Sequence, residues 1–580
     1  MLKKKEDNYF VKQLINLFKP YRWKVVLVIS LIIISSGLSI LNPLINQHLI
    51  DEGLISKNLE ITIKCSIYSL ILILTIECLE ILETKYRSYI ENLIVYDLEN
   101  KAFKHILKMK MEFFVSKNYS ELMSNLKMDI NNISGICNRN TFYILTSIFR
   151  VFVGIIGILS INYKLSILVI AVTPMRYAIT KFLAKKRKSL FREFLDINAG
   201  YSGWYGDTIA GIKEVKLLGL QNFKRIQLIK RQKELIKQNI KLSYMEKANE
   251  ISETISLEIV TMLIYIIGGY MIAGDVLTIG QLIAFISYSS YVTQPIFAIM
   301  NISYTFSGVS PSAKRYFDFL ENNCEVDCEQ KSLKKFSTEE FNGSIEFKNV
   351  SFNYNMEKQI LKNISFKIKA GEKVAIIGSN GSGKTTIANL LLRFLNPTSG
   401  TILIDGQDVN SLRLKDYRKL ISVVSQDIYL FNTTIKDNIL LNSKNTEKEM
   451  KSLTKKIGAY EFIEKMPDKY DSIVGERGSK LSGGEKQKIA MVRAFMRNAK
   501  ILLLDEATAN CDIKSEGEIN NIISEKYNGI TSIIITHRPQ LLNKVDKIIV
   551  INNGIIEDIG NSKQMYERNK FYRNIINSNN

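Results

Sequence analysis

The sequence predicts a multidomain chain, an all-α transmembrane domain of six helices followed by an α/β domain. Three observations predict it. The length, 580 residues, suits several domains, and the 46% of hydrophobic residues are spread unevenly along the chain. The apolar residues concentrate in the first half, in Val25 to Leu41, Ile61 to Leu82, Phe142 to Ile161, Leu165 to Ile179, Ile255 to Ala273 and Ile279 to Ile302. Each is long enough, or nearly so, to cross a hydrocarbon core of ~30 Å as a helix of about 20 residues. In the second half the period changes. Ile345 to Phe352 alternates as a strand, and the β-branched run Val374 to Ile377 leads through a glycine-rich loop into the helical pattern Ile387 to Phe394.

Taken in order, the chain begins with an apolar helical face, Phe10, Val11, Leu14, Ile15, Leu17 and Phe18, closed by Pro20 and followed by Tyr21 and Trp23. This reads as an elbow lying along the membrane surface. The first apolar stretch starts late and lacks a small-x-small exit, so it is expected to serve as an uncleaved anchor. Several spans carry Ser, Thr, Asn, Tyr or Gly, as expected of helices that face one another or a cavity.

The formal net charge of +21 follows the topology of a membrane protein. Lys3 to Lys5, Lys101 to Lys110, Lys181 to Lys188 and Lys224 to Lys233 fall on one side of the spans; Asp51-Glu52-Gly53, Asn162-Tyr163-Lys164 and Gly274-Asp275 make short links on the other. The positive-inside rule then places both termini and the second domain in the cytoplasm, in a multi-pass protein of the cytoplasmic membrane. No basic segment has a recognition motif or stacking aromatics, which argues against a nucleic-acid partner. The six cysteines, Cys65, Cys78, Cys137, Cys324, Cys328 and Cys511, complete no metal site and read as reduced thiols.

Between spans, Glu83 to Lys110 and Arg187 to Lys247 are too polar for lipid and too periodic for loops. Residues 1–310 are therefore read as the membrane domain with helical extensions, 311–341 as a charged linker, and 342–580 as the α/β domain. Inside the membrane domain three charges stand out as lining a possible cavity: Glu77 and Glu80, one turn apart in the second span, and Arg150 in the third. Intramembrane charges are costly and often line pathways, although a buried pair or a position near the membrane edge would also account for them.

The chemistry lies in the second domain. Gly378, Ser379, Asn380, Gly381, Ser382, Gly383, Lys384, Thr385 and Thr386 fit a P-loop, G-x-x-x-x-G-K-[ST]. Its backbone N–H groups wrap phosphates, Lys384 neutralises charge and Thr385 reaches Mg²⁺. Further on, Leu481-Ser482-Gly483-Gly484-Glu485 precedes the aliphatic run Ile501 to Leu504, which closes on Asp505 and Glu506. An aspartate ending a buried strand can hold Mg²⁺ through water.

The L-S-G-G-E segment is one that ordinary P-loop enzymes lack. With the P-loop and the membrane spans, the whole chain resembles a half-transporter of the ABC (ATP-binding cassette) exporter type, which makes the second domain an α/β P-loop ABC ATPase domain. The resemblance implies ATP and Mg²⁺ as cofactors. It gives Tyr354 the place of the ring that stacks on adenine, and Gln426 that of a glutamine contacting Mg²⁺ and the attacking water. Asp505 takes the place of the Walker B carboxylate, Glu506 of the residue that polarises water, His537 of the switch on the γ-phosphate and Asp512 of the D-loop aspartate. Asn510 and Cys511 depart from the usual D-loop pattern. Ser482, Gly483, Gly484 and Glu485, with Glu485 replacing the commoner Gln, are implied to contact ATP on a partner subunit. A homodimer is the first expectation and a heterodimer with a second half-transporter the alternative. Met111 to Ser116 through Met123 resembles a first coupling segment, Ala210 to Gly219 a second, and Gly475-Glu476-Arg477-Gly478 the X-loop of exporters. The expected activity is ATP-driven export by alternating access, the cargo a peptide or bacteriocin-like amphiphile with membrane lipid around it. A flippase of lipids or lipid-linked oligosaccharides, or a multidrug pump, is the alternative, and an ATP-gated channel or regulator the alternative of another class.

Overall fold

The computed structural model describes residues 16–115, 119–135, 139–294, 309, 311–322, 324–325, 336–354, 359–441, 443, 445–506, 529–536 and 538–577. The chain divides into two units, Met1–Leu107 with Asn118–Asn322, and Lys108–Lys117 with Asn323–Asn580. Most of the N-terminal elbow and the end of the sixth span, 295–302, lie outside the described residues.

Among the described residues, the regular structure of the first unit is helical. It contains α1 (Arg22–Ser39), α2 (Leu41–His48), α3 (Leu59–Ile106), α5 (Tyr119–Ser134), α6 (Arg139–Ile161), α7 (Tyr163–Ala210), α8 (Ile212–Leu217), α9 (Gln221–Ala273) and α10 (Ile279–Thr293), with α4 (Met111–Val115) belonging to the second unit. Apart from turns at Ile40 and Gln294, all six apolar stretches are helical where they are described, and four described helices are long and apolar enough to cross a membrane. The protein is a membrane protein. At 1.5 Å per residue, α3 and α7 (48 residues each) and α9 (53 residues) run roughly 70 to 80 Å, more than twice the hydrocarbon thickness. Their polar halves are the extensions expected from Glu83 to Lys110 and Arg187 to Lys247. Asn58 and Asn162 start α3 and α7 by accepting two backbone N–H bonds each.

Small residues set the packing. Tyr288 of α10 is buried against α6, where a Cβ on Gly157 would sit 2.6 Å from the Tyr288 ring. Glycine thus allows the close approach that drives association between helices in lipid. The Tyr288 hydroxyl donates to the Ile40 carbonyl at 2.7 Å. At the far end of these helices Asp51 accepts from Thr278 Oγ1 at 2.6 Å and from the Gly280 N–H at 2.8 Å, so the end of the first span is clasped to the start of α10.

Residues 311–321, read from the sequence as the start of a charged linker, form a helix (α11) instead. Its buried face is Ala313, Tyr316 and Phe319, spaced by three, and the Tyr316 hydroxyl donates to the Leu98 carbonyl at 2.8 Å. Burial of two aromatics outweighs the charge at Lys314, Arg315 and Asp318.

Among the described residues the second unit holds two sheets. One is antiparallel, with β1 (Ile345–Asn353) between β2 (Gln359–Ile368) and β4 (Ser399–Ile404), and β5 (Gln407–Asp408) at the edge of β4. The other has the order β10-β9-β3-β8-β7-β6, from β3 (Lys373–Ile377), β6 (Ile421–Val424), β7 (Ile501–Asp505), β8 (Thr531–Ile535), β9 (Lys547–Asn552) and β10 (Ile555–Gly560). All its pairings are parallel except β10 on β9. Continuous aliphatic strands such as Ile501 to Leu504 are buried on both faces, as a covered parallel sheet requires. The segment bearing α4 joins this unit: Met109 makes a bridge with Cys324, and the Glu325 N–H donates to the Lys108 carbonyl at 2.8 Å. Glu325 in turn accepts a fork of bonds from Arg418, at 3.0 and 2.9 Å.

Asp405 anchors the entry to this unit. Burial would raise its carboxyl, yet the N–H groups of Gly343, Ser344 and Asn342, at 3.0, 2.7 and 2.7 Å, hold it below the usual carboxylate range. A depressed folded value stabilises above the unfolded value and is lost as pH falls through the folded one. Asp405→Ala is therefore expected to destabilise by about 2 kcal/mol at neutral pH, with the deficit shrinking toward pH 3. Chemical denaturation of the purified protein and its variant over pH 3 to 7 reads both; a deficit independent of pH would reject the assignment.

Candidate functional site

Because β3, β6, β7 and β8 run parallel, their C-terminal ends reach one edge of the sheet, where open α/β sheets bind ligands. Four separate pieces of sequence meet there. β3 delivers the loop 378–383 and then α12 (Lys384–Leu391), β6 delivers Gln426, β7 delivers Asp505 and Glu506, and β8 delivers Ile535. They line a cavity of about 490 Å³ together with Tyr354 and Ile360 from the antiparallel sheet.

The loop is shaped for phosphate. A Cβ on Gly378 would overlap the Ile551 carbonyl oxygen, so only glycine lets the chain turn beside β9. Lys384, at the first turn of α12, donates from Nζ to the carbonyls of Gly378 at 2.7 Å and Ser379 at 3.0 Å. Its ammonium is thereby held over the loop at a helix N-terminus that itself favours anions. Burial pushes the Lys384 ammonium below the ordinary lysine value, and Glu506 and Asp505 offset part of that. Ser382 Oγ is buried with no hydrogen-bond partner.

Across the cavity, burial raises the Asp505 carboxyl above its usual range, with Glu506 adding to the effect and Lys384 opposing it. Glu506 accepts from Gln426 Nε2 at 2.7 Å, and its N–H donates to the Ile535 carbonyl at 2.9 Å. Its φ of +47° is left-handed, a conformation that costs a non-glycine residue roughly 1 kcal/mol or more. That strain turns the carboxylate off the strand and into the cavity. Thr385, Gln426 and Asp505 offer a hydroxyl, an amide and a carboxylate, the hard oxygen donors that suit Mg²⁺.

Of the expected ATP-site residues, Tyr354, Asn380 to Thr386, Gln426, Asp505 and Glu506 line the one cavity, and Gly378 and Ser379 shape its floor. His537 and Asp512 lie outside the described residues. Ile360 was missed; it belongs to another sheet, and no local motif marks it. Ser482 to Glu485 do not line the cavity. Ser482 starts the helix α13 (Gly483–Phe495), accepting from the Glu485 N–H, while the Glu485 carboxylate accepts from the Ser482 N–H at 2.8 Å. Glu485 therefore completes a capping box, a task that Glu and Gln share.

In the first unit, Glu80 and Arg150 line a common recess of about 180 Å³, with Glu83 beside them. Glu77 does not line it and is exposed. Three residues along a helix turn the side chain about 60° away from its neighbour, enough to take Glu77 off the face that Glu80 shares.

Comparison with known proteins follows this division. The family model described as the ABC transporter transmembrane region matches residues 25–296, and the ABC transporter model matches residues 361–509. An uncharacterized ABC transporter ATP-binding protein of Bacillus subtilis, YfiC, is 30% identical over 568 residues, 95% of this chain and 91% of its own. The ATP-dependent lipid A-core flippase of Haemophilus influenzae is 30% identical over 500 residues, 84% of this chain and 83% of its own. The solved structure of a bacterial Atm1-family ABC exporter with ATP bound superposes with a TM-score of 0.83 at 23% identity, covering 96% of this chain and 98% of that one, a likeness of fold.

Proposed function

The chain belongs to the ABC transporters, as an exporter-type half-transporter, and on that premise we propose that two copies pair to export a membrane-borne amphiphile at the expense of ATP. The observation that carries the pairing is the composition of the ATP cavity. Loop, glutamine and both carboxylates of one chain meet in it, but the signature residues Ser482 to Glu485 do not. A second chain would bring its own signature helix N-terminus to the phosphates and close the site.

In this reading the loop amides and Lys384 bind the phosphates, Tyr354 stacks on the adenine, and Gln426 orients water toward Glu506, whose carboxylate takes the proton as water attacks the γ-phosphorus and the bond to the bridging oxygen breaks, the electron pair leaving with ADP. Thr385, Asp505 and Gln426 would hold Mg²⁺, which would supply charge neutralisation for the phosphates. The coupling role of the α4 segment draws support from its seat within the ATPase unit beside Glu325. The excess of Lys and Arg on one set of loops supports a cytoplasmic ATPase in the cytoplasmic membrane.

The cargo is read as a lipid-like amphiphile. The Haemophilus relative's name and the recess of mixed charge inside the membrane unit support that class. The resemblance of Gly211 to Gly219 to the segment of exporters that handle peptides and lipid-linked sugars serves a peptide cargo and a lipid-linked one alike. The test is ATP turnover and movement of a fluorescent lipid in proteoliposomes, with Glu506→Gln as the blank. Saturable stimulation by lipid with ATP-dependent movement is expected. Stimulation by host peptide fractions only would replace this reading with peptide export, and absence of any turnover would replace the homodimer with a heterodimer.

A further inference from the structure

The recess in the membrane unit is walled by α1, α3 and α6, through Ser35, through Glu80 and Glu83, and through Phe142 and Arg150. Its charges are not matched to one another. Glu83 is taken by Arg87, whose Nε donates to it at 3.1 Å, and that pair is largely shielded from solvent. Glu80 and Arg150 are left. They make no ion pair with each other, and Arg150 Nε is buried with no hydrogen-bond partner. An arginine whose Nε is buried and unbonded, facing the same recess as a carboxylate that no described residue pairs, is a costly arrangement for a bare protein.

From this juxtaposition we infer that the recess is a binding site for a zwitterionic headgroup, with an ammonium placed against Glu80 and an acid group against Arg150. A simple anion would meet Glu80, and a simple cation would meet Arg150; a ligand carrying both signs answers both walls. The recess, about 180 Å³, is large enough for an aminophosphate or amino acid headgroup. Phe142 offers an apolar side for the first atoms of an attached chain. The inference rests on the reading of the protein as an amphiphile exporter and names the headgroup that this reading leaves open. A lipid headgroup and a free zwitterion share the chemistry.

The test is titration calorimetry on the full-length, detergent-purified protein with three probes: lysophosphatidylethanolamine, the anionic lysophosphatidylglycerol, and O-phosphoethanolamine, which has the headgroup without a chain. The zwitterionic lipid is expected to bind at least ten-fold more tightly than the anionic one. Glu80→Gln and Arg150→Gln should each abolish that preference, Glu77→Gln should leave it, and exchange of the two charges, Glu80→Arg with Arg150→Glu, should restore part of it. Binding of O-phosphoethanolamine as tight as that of the lipid would identify a free zwitterion as the source, and binding of the lipid alone a lipid headgroup. Equal affinity for the two lipids in the unaltered protein overturns the inference, and that measurement needs no variant to fold. Headgroup preference without ATP-dependent movement would overturn export while leaving the site. Movement without preference would do the reverse.

Discussion

Glu506→Gln is expected to lower ATP turnover by about 10³-fold while leaving ATP binding intact, the loss typical of removing a general base. Gln preserves the shape of the side chain and can still be bonded by Gln426, whose Nε2 lies 2.7 Å from Glu506 Oε2. What it removes is the negative charge that accepts a proton from water. The backbone at this position, with φ of +47° and its N–H bonded to Ile535, is set by the strand and not by the side chain, so the loop should survive the change. A variant that binds ATP but does not spend it would accumulate in the closed, paired state. Phosphate release at saturating ATP, together with nucleotide binding and mass by light scattering, reads all three effects. Turnover at the unaltered rate would reject Glu506 as the base.

The second large effect is at Lys384. Lys384→Ala should weaken ATP binding by about 100-fold, since loss of charge-assisted bonds to phosphate costs about 3 kcal/mol. The carbonyls of Gly378 and Ser379 now hold its Nζ, so the charge is in place before the ligand arrives and little entropy is lost in recruiting it. Arginine should not rescue, because its planar fork is longer than a point ammonium. Burial also sets a pH dependence. With the Lys384 ammonium below the ordinary lysine value, the charged form is complete at low pH and is lost as pH rises through that lowered value. ATP affinity should thus fall on the alkaline side before an ordinary lysine would titrate, and the Ala variant should lack that fall. Titration with a fluorescent ATP analogue across pH 7 to 10 checks both; an alkaline fall that persists in the variant would assign it elsewhere.

The parts of this molecule that were legible in the sequence are those written in consecutive residues. The six apolar stretches are helices where described, apart from turns at Ile40 and Gln294, and the loop 378–386 and the pair Asp505 and Glu506 meet at one sheet edge because each follows its own strand in a parallel sheet. What was not legible depends on partners far away in sequence. The helix 311–321 looked like linker because Lys314, Arg315 and Asp318 interrupt its short apolar face, and only packing under Tyr316 and Phe319 makes it a helix. The seat of α4 in the ATPase unit relies on Met109 meeting Cys324 and on Glu325 meeting Arg418, pairings that no local pattern announces. In the membrane, the sequence singled out Glu77 and Glu80 alike, and helical phase alone separates them.

The clasp made by Asp51 has a bearing on how the membrane unit is assembled. Its partners Thr278 and Gly280 lie 227 and 229 residues further along the chain. Closing a flexible loop of that length costs about 5 kcal/mol, and two bonds to a carboxylate return at most about 1.5 to 3 kcal/mol each. The contact is therefore near break-even for a loose chain and becomes favourable only after the intervening spans have packed and shortened the loop. Since spans enter the bilayer in chain order, the carboxylate waits through the synthesis of four more spans for its partners, and its capture marks the completion of insertion.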